Sequence, residues 1–280
     1  MRPVSKTDAR RINHLTGDTM AKPLALVTGA SSGIGAAIAL ELAKRGHDLV
    51  LVARREDALR QLAQKLQTEH SICCHVMPHD LTAFGGVKAL VEQLAQAGVS
   101  PDVLVNNAGL GLIGNHVDNP WDDEKRMIDL NMFALTELTH ALLPGMVRRR
   151  QGRVLNVAST AAFQPGPGMA VYFASKAYVL SYSEALHHEL QPKGITVTTL
   201  CPGPTESEFV SVASKHRKIS LADRIPFAPA QDVAALAVES MMRGKAIVVP
   251  GLINKLGVWS TRFTPRWLLL RLVALAFKPV

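Results

Sequence analysis

Tyr172 and Lys176, four residues apart in the run Tyr172-Phe173-Ala174-Ser175-Lys176, have the types and spacing that suit proton transfer. On a helix they share one face, above Val179, Leu186 and Leu190, which would pack that face onto protein. A free phenol, with a pKa of about 10, is a poor acid–base group at neutral pH. A nearby ammonium stabilises the phenolate and brings the tyrosine toward the useful range. Ser159 ends an apolar run one strand away, where its hydroxyl can meet a substrate oxygen. Asn131 stands among Leu130, Met132, Phe133, Leu135 and Leu138, so its amide must find backbone partners in a core or hold a water beside an active site. Taken alone, Y-x-x-x-K is more often structure than chemistry.

A second group of residues suits an anion. Thr28-Gly29-Ala30-Ser31-Ser32-Gly33-Ile34-Gly35 lies between an apolar run, Leu24 to Val27, and a helix-forming one, Ala36 to Arg45. Gly29 can take backbone angles closed to other residues, Gly33 leaves room against the backbone, and Gly35 lets helix and strand approach. Free amides at the helix start favour a pyrophosphate. The same residues also make an ordinary strand-to-helix turn, and their spacing differs from G-x-G-x-x-G. Arg54 lies nineteen residues beyond Gly35, where an acidic residue would take ribose hydroxyls and an arginine accommodates a 2′-phosphate. This favours NADP(H) over NAD(H). Asp80, beside Leu81, ends the third apolar run, where its carboxylate can meet an adenine amino group or cap the next helix. Asn106-Asn107-Ala108-Gly109 follows the fourth run, its amides able to bond backbone and its small residues able to admit a flat ring.

The elements that must position these groups follow from the alternation of short Val/Ile/Leu runs with amphipathic stretches. Strands are predicted near 24–28, 48–53, 72–77, 102–106, 153–158, 195–200 and 246–249, with helix-length segments between. That pattern implies an α/β fold: a doubly wound parallel sheet of seven strands, helices on both faces and ligands at the carboxyl edge.

Together, T-G-A-S-S-G-I-G at 28–35, Asp80-Leu81, N-N-A-G at 106–109, Asn131, Ser159, Y-F-A-S-K at 172–176 and Pro202-Gly203-Pro204-Thr205 resemble the short-chain dehydrogenase/reductase family over about residues 23–250. The resemblance implies a Rossmann fold and a carbonyl–alcohol oxidoreductase without metal. Tyr172 would exchange the proton with the substrate oxygen. Lys176 would lower the pKa of Tyr172 and hold the nicotinamide ribose, Ser159 would orient the carbonyl, and Asn131 would position a relay water. Gly29, Ser31, Ser32 and Ile34 would line the phosphates, with Arg54 at the 2′-phosphate. Asp80 would meet the adenine and Asn106 the adenosine side, while Thr205 would meet the carboxamide. Gly33, Gly35, Leu81, Ala108, Pro202 and Gly203 complete the expected cofactor site. Leu110, Leu112, Ile113, Phe163, Met169, Phe209 and Phe227 suggest a lipophilic ketone, ketoacyl or steroid-like substrate. A dinucleotide-binding regulatory or scaffold protein of the same fold is the alternative.

Composition limits the classes further. The 280 residues are 48% hydrophobic and 19% charged, which excludes general disorder. The net charge of +8 sits at the ends: residues 1–22 hold five basic and two acidic side chains, and residues 240–280 hold seven basic and none acidic. A near-neutral body speaks against nucleic acid as partner, while the basic ends leave an anionic membrane surface open. Cys73, Cys74 and Cys201 form no disulfide framework, which fits a reducing, cytoplasmic setting. Cys73, Cys74, His75 and His79 do not suggest a metal site, because strand neighbours point to opposite faces and Pro78 bars a helix. We expect a flexible basic tail at 1–22, an oxidoreductase domain at 23–250 and an amphipathic basic extension at 251–280. That extension would touch a membrane peripherally, cover the cleft or join subunits of a homodimer or homotetramer.

Overall fold

The computed structural model describes residues 22–209, 213 and 227–276. The tail expected at 1–22 lies outside them except for Lys22, as does most of the stretch between Phe209 and Phe227.

Seven segments rich in β-branched and leucine side chains form the strands: β1 (Leu24–Thr28), β2 (Asp48–Ala53), β3 (Cys74–Pro78), β4 (Val103–Asn106), β5 (Gly152–Val157), β6 (Ile195–Leu200) and β7 (Ile247–Val248). All pair in parallel, in the order β3-β2-β1-β4-β5-β6-β7. Both faces are covered, so the strands read as continuous apolar runs. Ala25, Val27, Leu49, Leu51, Val103 and Val105 pack on one side against α1 (Gly33–Lys44), α2 (Glu56–His70) and α7 (Ala230–Met242). Leu26, Val50, Val52, Leu104 and Val154 pack on the other against α3 (Gly86–Gln96), α5 (Leu135–Arg149) and α6 (Ala170–Leu190). Two further helices, α8 (Leu252–Ser260) and α9 (Arg266–Ala276), follow the last strand.

Four strands, β3, β4, β5 and β7, begin or end one or two residues away from the sequence pattern, and two of these shifts have a local cause. β3 begins at Cys74 because the Cys73 amide donates to the Asp48 carboxylate at 2.8 Å, outside the ladder. β7 pairs through only Ile247 and Val248, since it is the sheet edge and Pro250 beyond it has no amide hydrogen.

The chain leaves the sheet in opposite directions from β1 and β4, and this opens a crevice at their carboxyl ends. α4 (Trp121–Ile128) passes into α5 through one wide turn, Asp129–Ala134, of the π type that often marks functional positions.

Gly35 sets how closely α1 approaches β1. A Cβ there would stand 2.3 Å from the Gly29 carbonyl oxygen and 2.4 Å from Asn107 Nδ2. Gly35→Ala is therefore expected to cost about 1–3 kcal/mol, as overpacking does elsewhere. Urea unfolding measures it, and an unchanged midpoint would mean the turn relaxes freely.

Candidate active site

One cavity of about 710 Å³ runs along the carboxyl edge of the sheet, from the glycine turn to Tyr172. It brings together most of the residues singled out in the sequence, although they come from distant segments.

At one end, α6 carries Tyr172 and Lys176 on the face packed inward, with Val179 and Leu190 buried below them. Ser159, in the turn after β5, lines the same stretch of cavity wall as Tyr172, and its hydroxyl opposes the rise of the Tyr172 pKa. Ser159 is held in turn by the Ala161 amide, which donates to its Oγ at 3.1 Å. Lys176 Nζ donates to the Val157 carbonyl at 2.9 Å and stands 5.8 Å from the centre of the Tyr172 ring.

The electrostatics correct one expectation. Burial pushes the Tyr172 phenol up to about 12, against the smaller opposing effect of the Ser159 hydroxyl. Burial outweighs the Lys176 ammonium, which lies over the ring face 5.8 Å from its centre and is itself pushed down to about 8 by burial. The Tyr172 phenol therefore keeps its proton at pH 7.

Asn131 lies buried in the wide turn between α4 and α5. Its Oδ1 accepts from the Leu110 amide at 2.8 Å, and its Nδ2 donates to the Leu110 carbonyl at 2.9 Å and Ser175 Oγ at 3.0 Å. Both amide donors and one acceptor site are used, so the Asn131 side chain ties the loop after β4 to α6, and the residue is not among those lining the cavity.

At the other end, Gly29 and Gly33 take positive φ, +66° and +56°, and with Ser31, Ser32 and Ile34 they line the cavity. Ser32 precedes α1 without capping it, so the first-turn amides lack a side-chain acceptor. Arg54, Leu81, Ala108, Pro202, Gly203 and Thr205 also line the cavity. Asp80 does too, with its Oδ1 accepting from Thr82 and its Oδ2 2.7 Å from Arg126. Burial raises its carboxyl pKa, but the Thr82 hydrogen bonds and the charges of Arg126 and Arg54 outweigh this and lower it. Asp80 closes its own turn; α3 starts later, after Gly85.

Two expected cofactor residues do not reach the cavity. Asn106 is buried, its amide donating to Thr139 Oγ1 at 2.8 Å and Asn156 Oδ1 at 2.9 Å. Adjacent strand residues point to opposite sides, and its neighbour Asn107 lines the cavity instead. Gly35 serves packing alone. Among the apolar side chains, Leu110, Ile113, Met169, Phe209 and Phe227 line the cavity, whereas Leu112 and Phe163 pack beside it.

The sequence reading missed Arg55 and Glu208. Arg55 Nη2 donates to Ser32 Oγ at 2.9 Å and to Glu208 Oε2 at 2.7 Å, and Ser32 Oγ donates to Glu208 Oε2 at 3.0 Å. Arg55 was one position from Arg54, but nothing in the chain order linked either to a glutamate more than 150 residues away. The bonds to the Glu208 carboxylate show that Ser32 and Arg55 can donate to anionic oxygens. A dinucleotide phosphate fits the same donors, with Ser31 3.2 Å from Arg55 Nη2.

Comparison with known proteins agrees with this geometry. The short chain dehydrogenase family profile matches residues 23–218. Sulfoacetaldehyde reductase 2 of Chromohalobacter salexigens is 37% identical over 191 residues, which are 68% of this chain and 75% of that protein. A short-chain dehydrogenase from Sphingobium yanoikuyae in complex with NADPH superposes with a TM-score of 0.76 at 33% identity, covering 86% of this chain and 93% of that one. A bulky-bulky ketone specific alcohol dehydrogenase from Comamonas testosteroni does so with 0.72 at 32% identity, over the same shares of the two chains.

Because Glu208 occupies phosphate donors, Glu208→Gln is expected to bind NADPH about three- to tenfold more tightly at low salt. Fluorescence titration reads this, and an unchanged Kd would mean the carboxylate leaves without competing.

Proposed function

The chain belongs to the short-chain dehydrogenase family, and from that premise we propose that Tyr172, Ser159 and Lys176 assist the reduction of a lipophilic ketone by NADPH within one cavity. It is an NADP(H)-dependent oxidoreductase of carbonyl and alcohol groups. The observation that carries the catalytic reading is the Ser159–Tyr172 hydroxyl pair in the wall of a cavity whose far end holds anion donors.

The cofactor, which the glycine turn, Ser31, Ser32 and Arg54 would hold, would supply the hydride for the carbonyl carbon. Ser159 and Tyr172 direct their hydroxyls at the carbonyl oxygen, where negative charge develops as the carbonyl π bond breaks. Tyr172 gives its proton to that oxygen, yielding the alcohol and a phenolate. The Lys176 ammonium, charged below about pH 8, is the cation available to stabilise that phenolate. Asn131 acts by position, holding Leu110 over the substrate and Ser175 on α6. In the oxidative direction the same groups run in reverse.

Lipophilic substrates suit the apolar end of the cavity, where Leu110, Ile113, Met169, Phe173, Phe209 and Phe227 meet. The ketone specificity named for the Comamonas enzyme is consistent with such an end. In this reading residues 23–250 are the catalytic unit and 251–280 an addition to it. Exposed Trp121 and Phe133 near the start of α4 and in the wide turn offer an apolar face for a homodimer or homotetramer.

Tyr172→Phe keeps the ring and removes the proton. We expect it to lower kcat with a hydrophobic ketone by at least about a hundredfold while leaving NADPH affinity within about twofold. Retained turnover in the nicotinamide absorbance assay would refute the role of Tyr172; NADPH binding without turnover of any ketone or alcohol by the wild type would favour the scaffold reading. The pH profile follows from the same groups. Since Lys176 is pushed down to about 8 and Tyr172 up to about 12, reductive kcat/KM should fall as pH rises through about 8, where the ammonium is lost but the phenol keeps its proton. A profile flat to about pH 10 would remove Lys176 from that role.

A further inference from the structure

The C-terminal pair of helices presents its apolar side chains outward, the reverse of what a surface helix does in water. On α8, Leu252, Leu256, Trp259 and, just beyond it, Phe263 recur at helical spacing and are all exposed, Leu252 at 72%. Ile253 beside them is 84% exposed, and α8 buries no residue. On α9, Leu269 and Val273 turn inward, while Trp267, Leu270, Leu272 and Leu275 are exposed. Isolated exposed leucines are ordinary; nine large apolar side chains on two consecutive helices and the turn between them are not.

The charges around this surface have one sign. Lys255, Arg262, Arg266 and Arg271 are exposed among these side chains, and no acidic residue follows Glu239 in the sequence. Arg271 lies 5.4 Å from the centre of the Trp267 ring, and the Trp259 and Phe263 rings are 4.7 Å apart. A second copy of this surface would bring cation against cation across a two-fold axis. Residues 1–21 are also net basic, with four basic and two acidic side chains. Neither neutralises the patch. Apolar side chains, two tryptophans and unopposed cations together match the interface of an anionic lipid bilayer. No described helix is long and apolar enough to cross a membrane, so the contact is with the surface.

We propose that α8 and α9 dock this protein on anionic membrane surfaces. The inward face of α9 gives the docking a consequence. Leu269 and Val273 pack into the cluster that holds Met169, Tyr172 and Phe209, three of the residues lining the cavity. From α8, Asn254 lies against Gly203, another lining residue, where a Cβ would meet its Oδ1 at 2.5 Å. One helix pair thus touches lipid on one side and the substrate end on the other, so a membrane-dissolved carbonyl compound has a short path to Tyr172. This consequence rests on the lipophilic-substrate reading, whereas docking does not.

Sedimentation of the full chain with phosphatidylglycerol vesicles and, separately, phosphatidylcholine vesicles tests the docking. We expect the protein to sediment with the first and not the second, and to be released in about 0.5 M salt. Trp259→Glu with Trp267→Glu, and separately Lys255→Glu with Arg262→Glu, should each weaken partitioning by about tenfold or more. All four positions are exposed, and both variants should keep NADPH-dependent turnover of a water-soluble ketone. Wild-type protein left in the supernatant with phosphatidylglycerol, equal sedimentation with both lipids, or either variant bound like wild type would overturn the proposal. So would a wild-type oligomer that both variants dissociate in the absence of lipid, which would assign the surface to a second copy. Loss of turnover in Tyr172→Phe with docking retained would separate this result from the catalytic reading.

Discussion

The hydrogen bonds that join the ends of β1 and β4 are the constraint on which the cavity depends. Thr28 Oγ1 donates to the Val105 carbonyl at 3.2 Å and accepts from the Asn107 and Ala108 amides at 3.0 and 3.1 Å. Asn107 Nδ2 returns to the Thr28 and Gly29 carbonyls at 3.0 and 3.2 Å. These are the strands from which the chain departs in opposite directions, so their ends would otherwise have unpaired backbone groups facing a crevice. With those groups satisfied by side chains, the glycine turn and the N-N-A-G loop form one rigid floor. Gly29 and Gly35 are needed because side chains there would strike Asn107 or the turn itself.

A second buried network holds the catalytic wall to that floor. Asn106 donates to Thr139 and Asn156, and Asn156 donates to Ser183 on α6 at 2.8 Å. Each member is buried and partnered, the condition under which such a network stabilises a unique arrangement. Through it β4, β5, α5 and α6 keep their relative positions, and α6 carries Tyr172 and Lys176. Asn131 adds a third tie between α6 and the loop after β4. Precise placement matters for proton transfer because the hydroxyl pair must meet one oxygen.

The two ends of the cavity differ in how they treat charge. At Tyr172 and Lys176 burial favours neutral forms and moves the two pKa values toward the neutral phenol and the neutral amine. At the glycine turn Arg55, Arg54 and the helix start are arranged for anions, and Glu208 answers them from the segment after β6. The carboxylate comes from the same stretch as Phe209, which packs 5.3 Å from the Tyr172 ring centre. Phosphate donors and substrate wall are therefore in contact with one short segment.

Much of this was legible in the sequence because it is local. Strand and helix order follow from the spacing of Val, Ile and Leu; Tyr172 and Lys176 share a face because helices repeat at 3.6 residues. The motifs from Thr28 to Thr205 suffice to identify the fold, the reaction class and the cofactor type. What the sequence by itself could not decide is where side chains from separate segments meet. Asn106 rather than Asn107 faces the core because of its place on β4, Arg55 rather than Arg54 reaches Ser32, and Glu208 arrives from the far side of the chain. Nor could it set the protonation of Tyr172, where burial by the whole fold outweighs the nearby ammonium. Hydrophobic periodicity is a property of neighbours along the chain, whereas burial, charge pairing and the outward turn of α8 are sums over residues that only tertiary packing brings together.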